Sequence, residues 1–130
     1  MPKKQIMVVD DEKNLLLLMH EVLENAGFDV LMAESGQECL EKLKKVKPDL
    51  IIMDMMMPKM SGYDTIRKIR EDPKTKDLRI IILTVSRIAE VSKFQLSKFK
   101  ILDYINKPFD IKEIVDKINK IVENQNTKSN

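Results

Sequence analysis

Five short apolar runs recur along this chain, each ending near a polar residue and each followed by a stretch with helical spacing. They are "QIMVVD" (5–10), "FDVLMA" (28–33), "DLIIMD" (49–54), "RIIILT" (79–84) and "ILDYIN" (101–106). A run that is apolar throughout, rather than alternating, belongs to a strand buried on both faces, the condition of a parallel sheet. The intervening patterns are helical. Residues 13–27 end at Gly27, and residues 35–47 open on Ser35 and Glu38 as a capping box, with Cys39, Leu40, Leu43 and Val46 on one face. A shorter helix over 63–71 turns Ile66 and Ile69 inward. A last helix opens on Asp110 and Glu113, a second capping box, and repeats Ile111, Ile114, Ile118 and Ile121 at helical spacing. Strands alternating with helices, joined by right-handed crossovers, predict an α/β doubly wound fold with helices on both faces of a five-stranded parallel sheet. The functional crevice of such a sheet lies outside the carboxyl ends of its strands.

Composition narrows the class. At 130 residues one domain is expected, over 1–123, with a polar tail over 124–130. Lys and Arg exceed Asp and Glu by only 23 to 21, which gives no sign of a nucleic-acid partner. Cys39 is alone, which excludes an internal disulfide or a cysteine zinc site and suits a reducing cytosol. Asp10, Asp11 and Glu12 interrupt the first apolar run too early for a signal peptide, and no run reaches membrane-spanning length. A soluble, cytoplasmic domain without a membrane partner is the expectation.

Residues at the strand ends carry the chemistry. The first run ends in Asp10 and Asp11, the third in Asp54, the fourth in Thr84, and the fifth leads into Lys107 and Pro108. Asp and Thr are common where strands become loops, but that accounts for one or two of these residues rather than the whole set on one edge. Three neighbouring carboxylates repel unless a cation joins them, and Mg²⁺ favours one or two carboxylates, waters and phosphate oxygens. A carboxylate there can attack phosphorus to give an aspartyl phosphate, with metal, ammonium and hydroxyl around the transferred group. Asp54, on the most apolar and most central run, is the expected acceptor. Lys107 would pair one phosphoryl oxygen and Thr84 would donate to another.

The segments "IMVVDD", "LIIMDMMMPKMSG", "IIILT" and "DYINKPF" resemble the four signature segments of the response-regulator receiver domain of two-component signalling, over about residues 4–123. The resemblance implies the flavodoxin-like strand order 2-1-3-4-5. It implies that Asp10 and Asp11 hold Mg²⁺ beside Asp54, with the Met56 backbone carbonyl as a further ligand. It further implies that Asp54 takes phosphoryl from a sensor histidine kinase or a phosphotransfer protein, and that Lys107–Pro108 is a cis bond. Thr84 and Tyr104 would be switch residues. A downstream protein target would read the fourth crossover, fifth strand and last helix.

The chain departs from the family pattern in its fourth crossover, "VSRIAEVSKFQLSKFK" (85–100), which shows no clear helical period. Val85 follows Thr84 where small residues are usual, and Lys100 and Ile101 stand near a usual Gly-Ala pair. Phe94 and Phe99 are expected in the core. Its cations, with Arg87 and Lys93 among them, suit a partner surface or a solvated face equally. His20 reads as a surface residue, and Leu15–Leu18 cannot all face one side of a helix. The tract 42–47, "KLKKVK", reads as the solvated side of the second helix. An apolar Met56 is expected to hinder water at Asp54 and slow loss of phosphoryl. Two other functions compete with a stand-alone phosphoacceptor switch. A phosphatase or phosphotransferase on small substrates lacks the second acid two residues after Asp54, where Met56 stands, and lacks a substrate-binding cap. A phosphorylation-independent binding module would not need the intact acid set.

Overall fold

Where each strand lies in the sheet follows from how apolar it is. A computed structural model describes residues 3–85 and 93–128. The strands are β1 (Gln5–Val9), β2 (Asp29–Ala33), β3 (Leu50–Asp54), β4 (Ile80–Thr84) and β5 (Asp103–Asn106). They form one parallel sheet in the order β2-β1-β3-β4-β5. All residues of β3 and β4 are buried, whereas the edge strands β2 and β5 keep partly open positions. The flavodoxin-like order is as expected.

Alternation along the strands divides the apolar residues between two cores. Ile6, Val8, Ile52, Ile81 and Leu83 face one side, against α1 (Lys13–Asn25) and α5 (Ile111–Lys128). Met7, Val9, Ile51, Met53 and Ile82 face the other, against α2 (Gly36–Leu43), α3 (Gly62–Glu71) and the described part of α4 (Lys93–Lys98). Leu16 is buried while Leu17 and Leu18 are 61% and 40% exposed, so the leucine run is divided as helical geometry requires. Phe99 lies in the second core, as expected, with its ring edge-on to Tyr63 at 5.1 Å. The Phe94 side chain and Arg87 lie outside the described residues.

Helix ends show where local chemistry decided the boundaries. The Gly27 N–H bonds the Glu24 carbonyl and the Phe28 N–H bonds the Leu23 carbonyl, both at 3.0 Å, with Gly27 at φ +99°. This is a Schellman closure, completed by packing of Phe28 and Leu23 in one core. Ser35 caps α2 by accepting the Glu38 N–H at 3.0 Å, but the Glu38 carboxylate reaches back to the Glu34 N–H. Helix α2 stops at Leu43 rather than 47, because the Lys44 and Lys45 N–H groups turn to carbonyls three residues back. The tighter turn frees the chain to enter β3. At α5 the Asp110 carboxylate accepts the Lys112 N–H at 2.9 Å, and the Glu113 N–H bonds the Asp110 backbone carbonyl. The cap is therefore a side-chain turn rather than the second capping box. Helix α5 continues to Lys128, beyond residue 123.

The unusual end of the fourth crossover repeats the Gly27 closure with a different residue. Lys100 N–H bonds Ser97 and Ile101 N–H bonds Leu96, at 3.1 and 2.9 Å, and Lys100 sits at φ +56°. Lysine thus occupies the left-handed position that glycine ordinarily fills. Lys100→Gly should raise stability by about 1 kcal/mol in urea unfolding, because removal of the Cβ relieves that conformation. Cys39 gives a second test. It is fully buried with its Sγ 3.8 Å from Met7 Sδ, and burial pushes the thiol up to about 12. The neutral thiol is the form the fold favours, so this contribution is complete below the ordinary thiol value of 9.0 and is lost as pH rises toward 12. Iodoacetamide at about pH 8 should leave the folded protein unmodified and alkylate it once in urea.

Candidate phosphoacceptor and metal site

Three strand ends and one loop converge at the carboxyl edge of the sheet. Asp10 directly follows β1, and its N–H bonds the Ala33 carbonyl at 3.1 Å, tying it to the end of β2. Asp54 is the last residue of β3, and the next N–H, from Met55, bonds the Leu83 carbonyl of β4 at 3.1 Å. Thr84 ends β4, and its carbonyl accepts the Lys107 N–H at 2.9 Å, which holds the loop after β5 against β4. The Lys107–Pro108 bond is cis, as the family resemblance implied.

This arrangement places the Lys107 ammonium between two carboxylates, 3.0 Å from Asp10 Oδ2 and 3.3 Å from Asp54 Oδ1. Asp10 and Asp54 are 1% and 3% exposed, whereas Asp11 is open to solvent. Backbone donors complete the buried pair: the Glu12 N–H bonds Asp10 Oδ1 at 2.9 Å and the Met56 N–H bonds Asp54 Oδ1 at 3.2 Å. Burial raises the Asp54 carboxyl above its ordinary range and the charge of Asp10 adds to this, against the Met56 N–H and Lys107. For Lys107, burial alone would lower the ammonium, but the hydrogen bond to Asp10 and the charges of Asp10 and Asp54 outweigh it and raise it.

Asp10, Asp11 and Asp54 each offer a carboxylate oxygen, all within 4.8 Å of one another. Three carboxylates against one ammonium leave surplus negative charge. The donors are all hard oxygens, and the exposed Asp11 leaves one side for water. This set fits a hard divalent cation that keeps part of its hydration.

The loop after Asp54 is held by residues whose importance only the folded chain reveals. The Gly62 N–H bonds the Met55 carbonyl at 3.2 Å, and a Cβ on Gly62 would lie 2.2 Å from the Asp54 backbone oxygen. Only glycine lets α3 start so close to Asp54. Met57 is buried, whereas Met56 is 67% exposed. Tyr104 lies two residues back from the strand end, opposite Ile82, half-buried against the second core. The Lys117 ammonium from α5 stands 5.1 Å above its ring, donates to the Tyr104 carbonyl at 2.6 Å and lies 3.4 Å from Asp103. Lys117 was not legible in the sequence, because its partners are on another element. His20 pairs with Glu24 at 3.3 Å on the half-open side of α1. No described helix is long and apolar enough to cross a membrane.

Comparison with known proteins agrees with this architecture. The model of the response regulator receiver domain matches residues 6–119. The chain is 34% identical over 119 residues to the alkaline phosphatase synthesis transcriptional regulatory protein PhoP of Bacillus subtilis, covering 92% of this chain and 48% of PhoP. It is 32% identical over 120 residues to the chemotaxis protein CheY of Thermotoga maritima, covering 91% of this chain and 97% of that one. The solved structure of Vibrio cholerae chemotaxis protein CheY4 superposes with a TM-score of 0.85 at 26% identity, over 92% of this chain and 99% of that one. The chain spans about half the length of PhoP and of other curated regulators that it matches. With the strand order, the buried Asp54 and the acid pair at one edge, these matches establish that the chain belongs to the response-regulator receiver-domain family.

Proposed function

We propose that this chain accepts a phosphoryl group on Asp54 from the phosphohistidine of a sensor histidine kinase or phosphotransfer protein. The observation that carries the proposal is the buried Asp54 carboxylate at a strand end, beside the Lys107 ammonium and within reach of Asp10 and Asp11. An Asp54 carboxylate oxygen attacks phosphorus, an O–P bond forms and the N–P bond breaks. The departing imidazole keeps the bonding electron pair and takes up a proton. Lys107 moves its hydrogen bonds from the carboxylates to a phosphoryl oxygen, and Thr84 donates to another. Asp10, Asp11, Asp54 and the Met56 carbonyl would hold Mg²⁺, which supplies neutralisation of the charge that builds on the phosphoryl oxygens. Loss of the phosphoryl group to water at the same carboxylate would end the signal. A receiver unit over 1–123 and a polar tail over 124–130 complete the reading.

The switch follows from added charge. Phosphorylation adds roughly one and a half to two negative charges and new acceptor oxygens. Thr84 moves toward them, Tyr104 turns into the space behind it, and the face of α4, β5 and α5 changes for a downstream protein target. A phosphatase on small substrates is disfavoured by Met56 standing where a second acid would serve. The charged cluster offers a phosphorylation-independent module no use.

In Mg²⁺ and acetyl phosphate, intact mass should rise by one phosphoryl group in the wild type and stay unchanged in Asp54→Asn. Labelling of Asp54→Asn would move the acceptor elsewhere. Without metal, Asp54→Asn should be more stable than wild type by about 1 kcal/mol, because it removes a buried charge facing Asp10. Mg²⁺ should raise the Tm of wild type more than that of Asp54→Asn, since only a ligand bound to the folded chain stabilises it. An equal rise would remove Asp54 from the metal site.

A further inference from the structure

Charge is unevenly distributed on this molecule. Three adjoining cavities, of about 520, 220 and 390 Å³, run around the pole opposite Asp54, where β4 and β5 begin. The first two share Leu43, Lys44, Lys74 and Thr75, and Leu78 joins the second to the third. Nine of the 23 Lys and Arg residues line them, but only two of the 21 Asp and Glu residues do, Asp72 and Asp77. Such a concentration is unexpected in a chain so nearly balanced overall.

Few of these cations are neutralised. Lys44 approaches Glu41 at 3.8 Å and Lys100 approaches Asp77 at 4.0 Å, both on open surface where pairing is weak. Among the described residues Lys45, Lys47, Lys68 and Lys74 meet no carboxylate within ion-pair distance. Arg70 has a different role. Its guanidinium donates to the carbonyls of Lys76, Leu78, Phe99 and Lys100, at 2.6 to 3.3 Å, and so joins the loop before β4 to the loop before β5. The groove therefore has a braced wall. Its floor is apolar, from Leu40, Leu43, Val46, Leu78, Leu102 and Ile121.

We infer that this pole is a docking groove for an acidic, leucine-bearing segment of a partner protein, centred on α2, α3 and the loop before β4 and meeting the face that phosphorylation would alter only at its edge, Lys100, Leu102 and Ile121. Lysines on the rim match carboxylates and the floor takes apolar side chains. Among the described residues no aromatic side chain lines the three cavities, so they offer no stacking platform of the kind a single-stranded nucleic-acid site uses. A concave apolar floor also serves no purpose against duplex phosphates. Because the groove lies at the amino ends of the strands, the segment would be held in both states of Asp54.

The test is fluorescence anisotropy with a short labelled peptide repeating Glu-Glu-Leu, against an all-Glu peptide of equal length and a thymidine oligonucleotide. The Glu-Glu-Leu peptide should bind tightest, weaken as NaCl rises from about 50 to about 300 mM, and bind alike with and without beryllofluoride. Lys44→Glu combined with Lys74→Glu should weaken it at least about tenfold. Lys3→Glu combined with Lys112→Glu makes the same change in net charge away from the groove, and should change binding less than about twofold. The inference is overturned if the two double variants bind alike, if the all-Glu peptide binds as well, or if the oligonucleotide binds tighter. Phosphorylation of Asp54 in the Lys44→Glu, Lys74→Glu variant should proceed as in wild type, so failure of the groove and failure of Asp54 as acceptor are read separately.

Discussion

One ammonium between two buried carboxylates organises the functional edge of this molecule. Asp10 and Asp54 are nearly excluded from water, and two such charges side by side would destabilise the fold unless compensated. Lys107 supplies the compensation, at 3.0 and 3.3 Å. It is held in place by its own backbone N–H on the Thr84 carbonyl. Compensation is incomplete, because three acids face one amine. That imbalance fits the cluster of Asp10, Asp11 and Asp54 to a hard divalent cation.

The rest of the fold can be read as support for that edge. Strands β3 and β4 are apolar on both faces, so they occupy the middle of the sheet and deliver Asp54 and Thr84 side by side. The two cores fix the height of each strand against its neighbours, and with it the alignment of the strand ends. Gly62 allows α3 to begin against the Asp54 carbonyl, which holds the loop after Asp54 from behind.

The two poles of the sheet differ in chemistry. The carboxyl ends gather acids, and the amino ends gather lysines over an apolar floor. Parallel strands make this separation possible, since all five present the same end on the same side. On the proposed reading, such a chain would hold a constant partner at one pole while its state changes at the other.

Much of this was legible in the sequence. Continuous apolar runs could belong only to buried strands, and the residues after them, Asp10, Asp54, Thr84 and Lys107, had to share an edge once the sheet was parallel. Gly27 and Ser35 announced their helix ends because capping is chemistry within a few residues. Tertiary structure decided whatever depended on a partner far along the chain. The tract at 42–47 read as a solvated helix face, yet the helix stops at Leu43, and its lysines meet those of α3 and the loop before β4 in one groove. Lys117 over Tyr104, Arg70 on four carbonyls and Gly62 against Asp54 each join elements whose separation in sequence carries no local signal. Sequence periodicity reports which face of an element is buried, but not which residue of another element it will meet, because that is set by how the two cores pack.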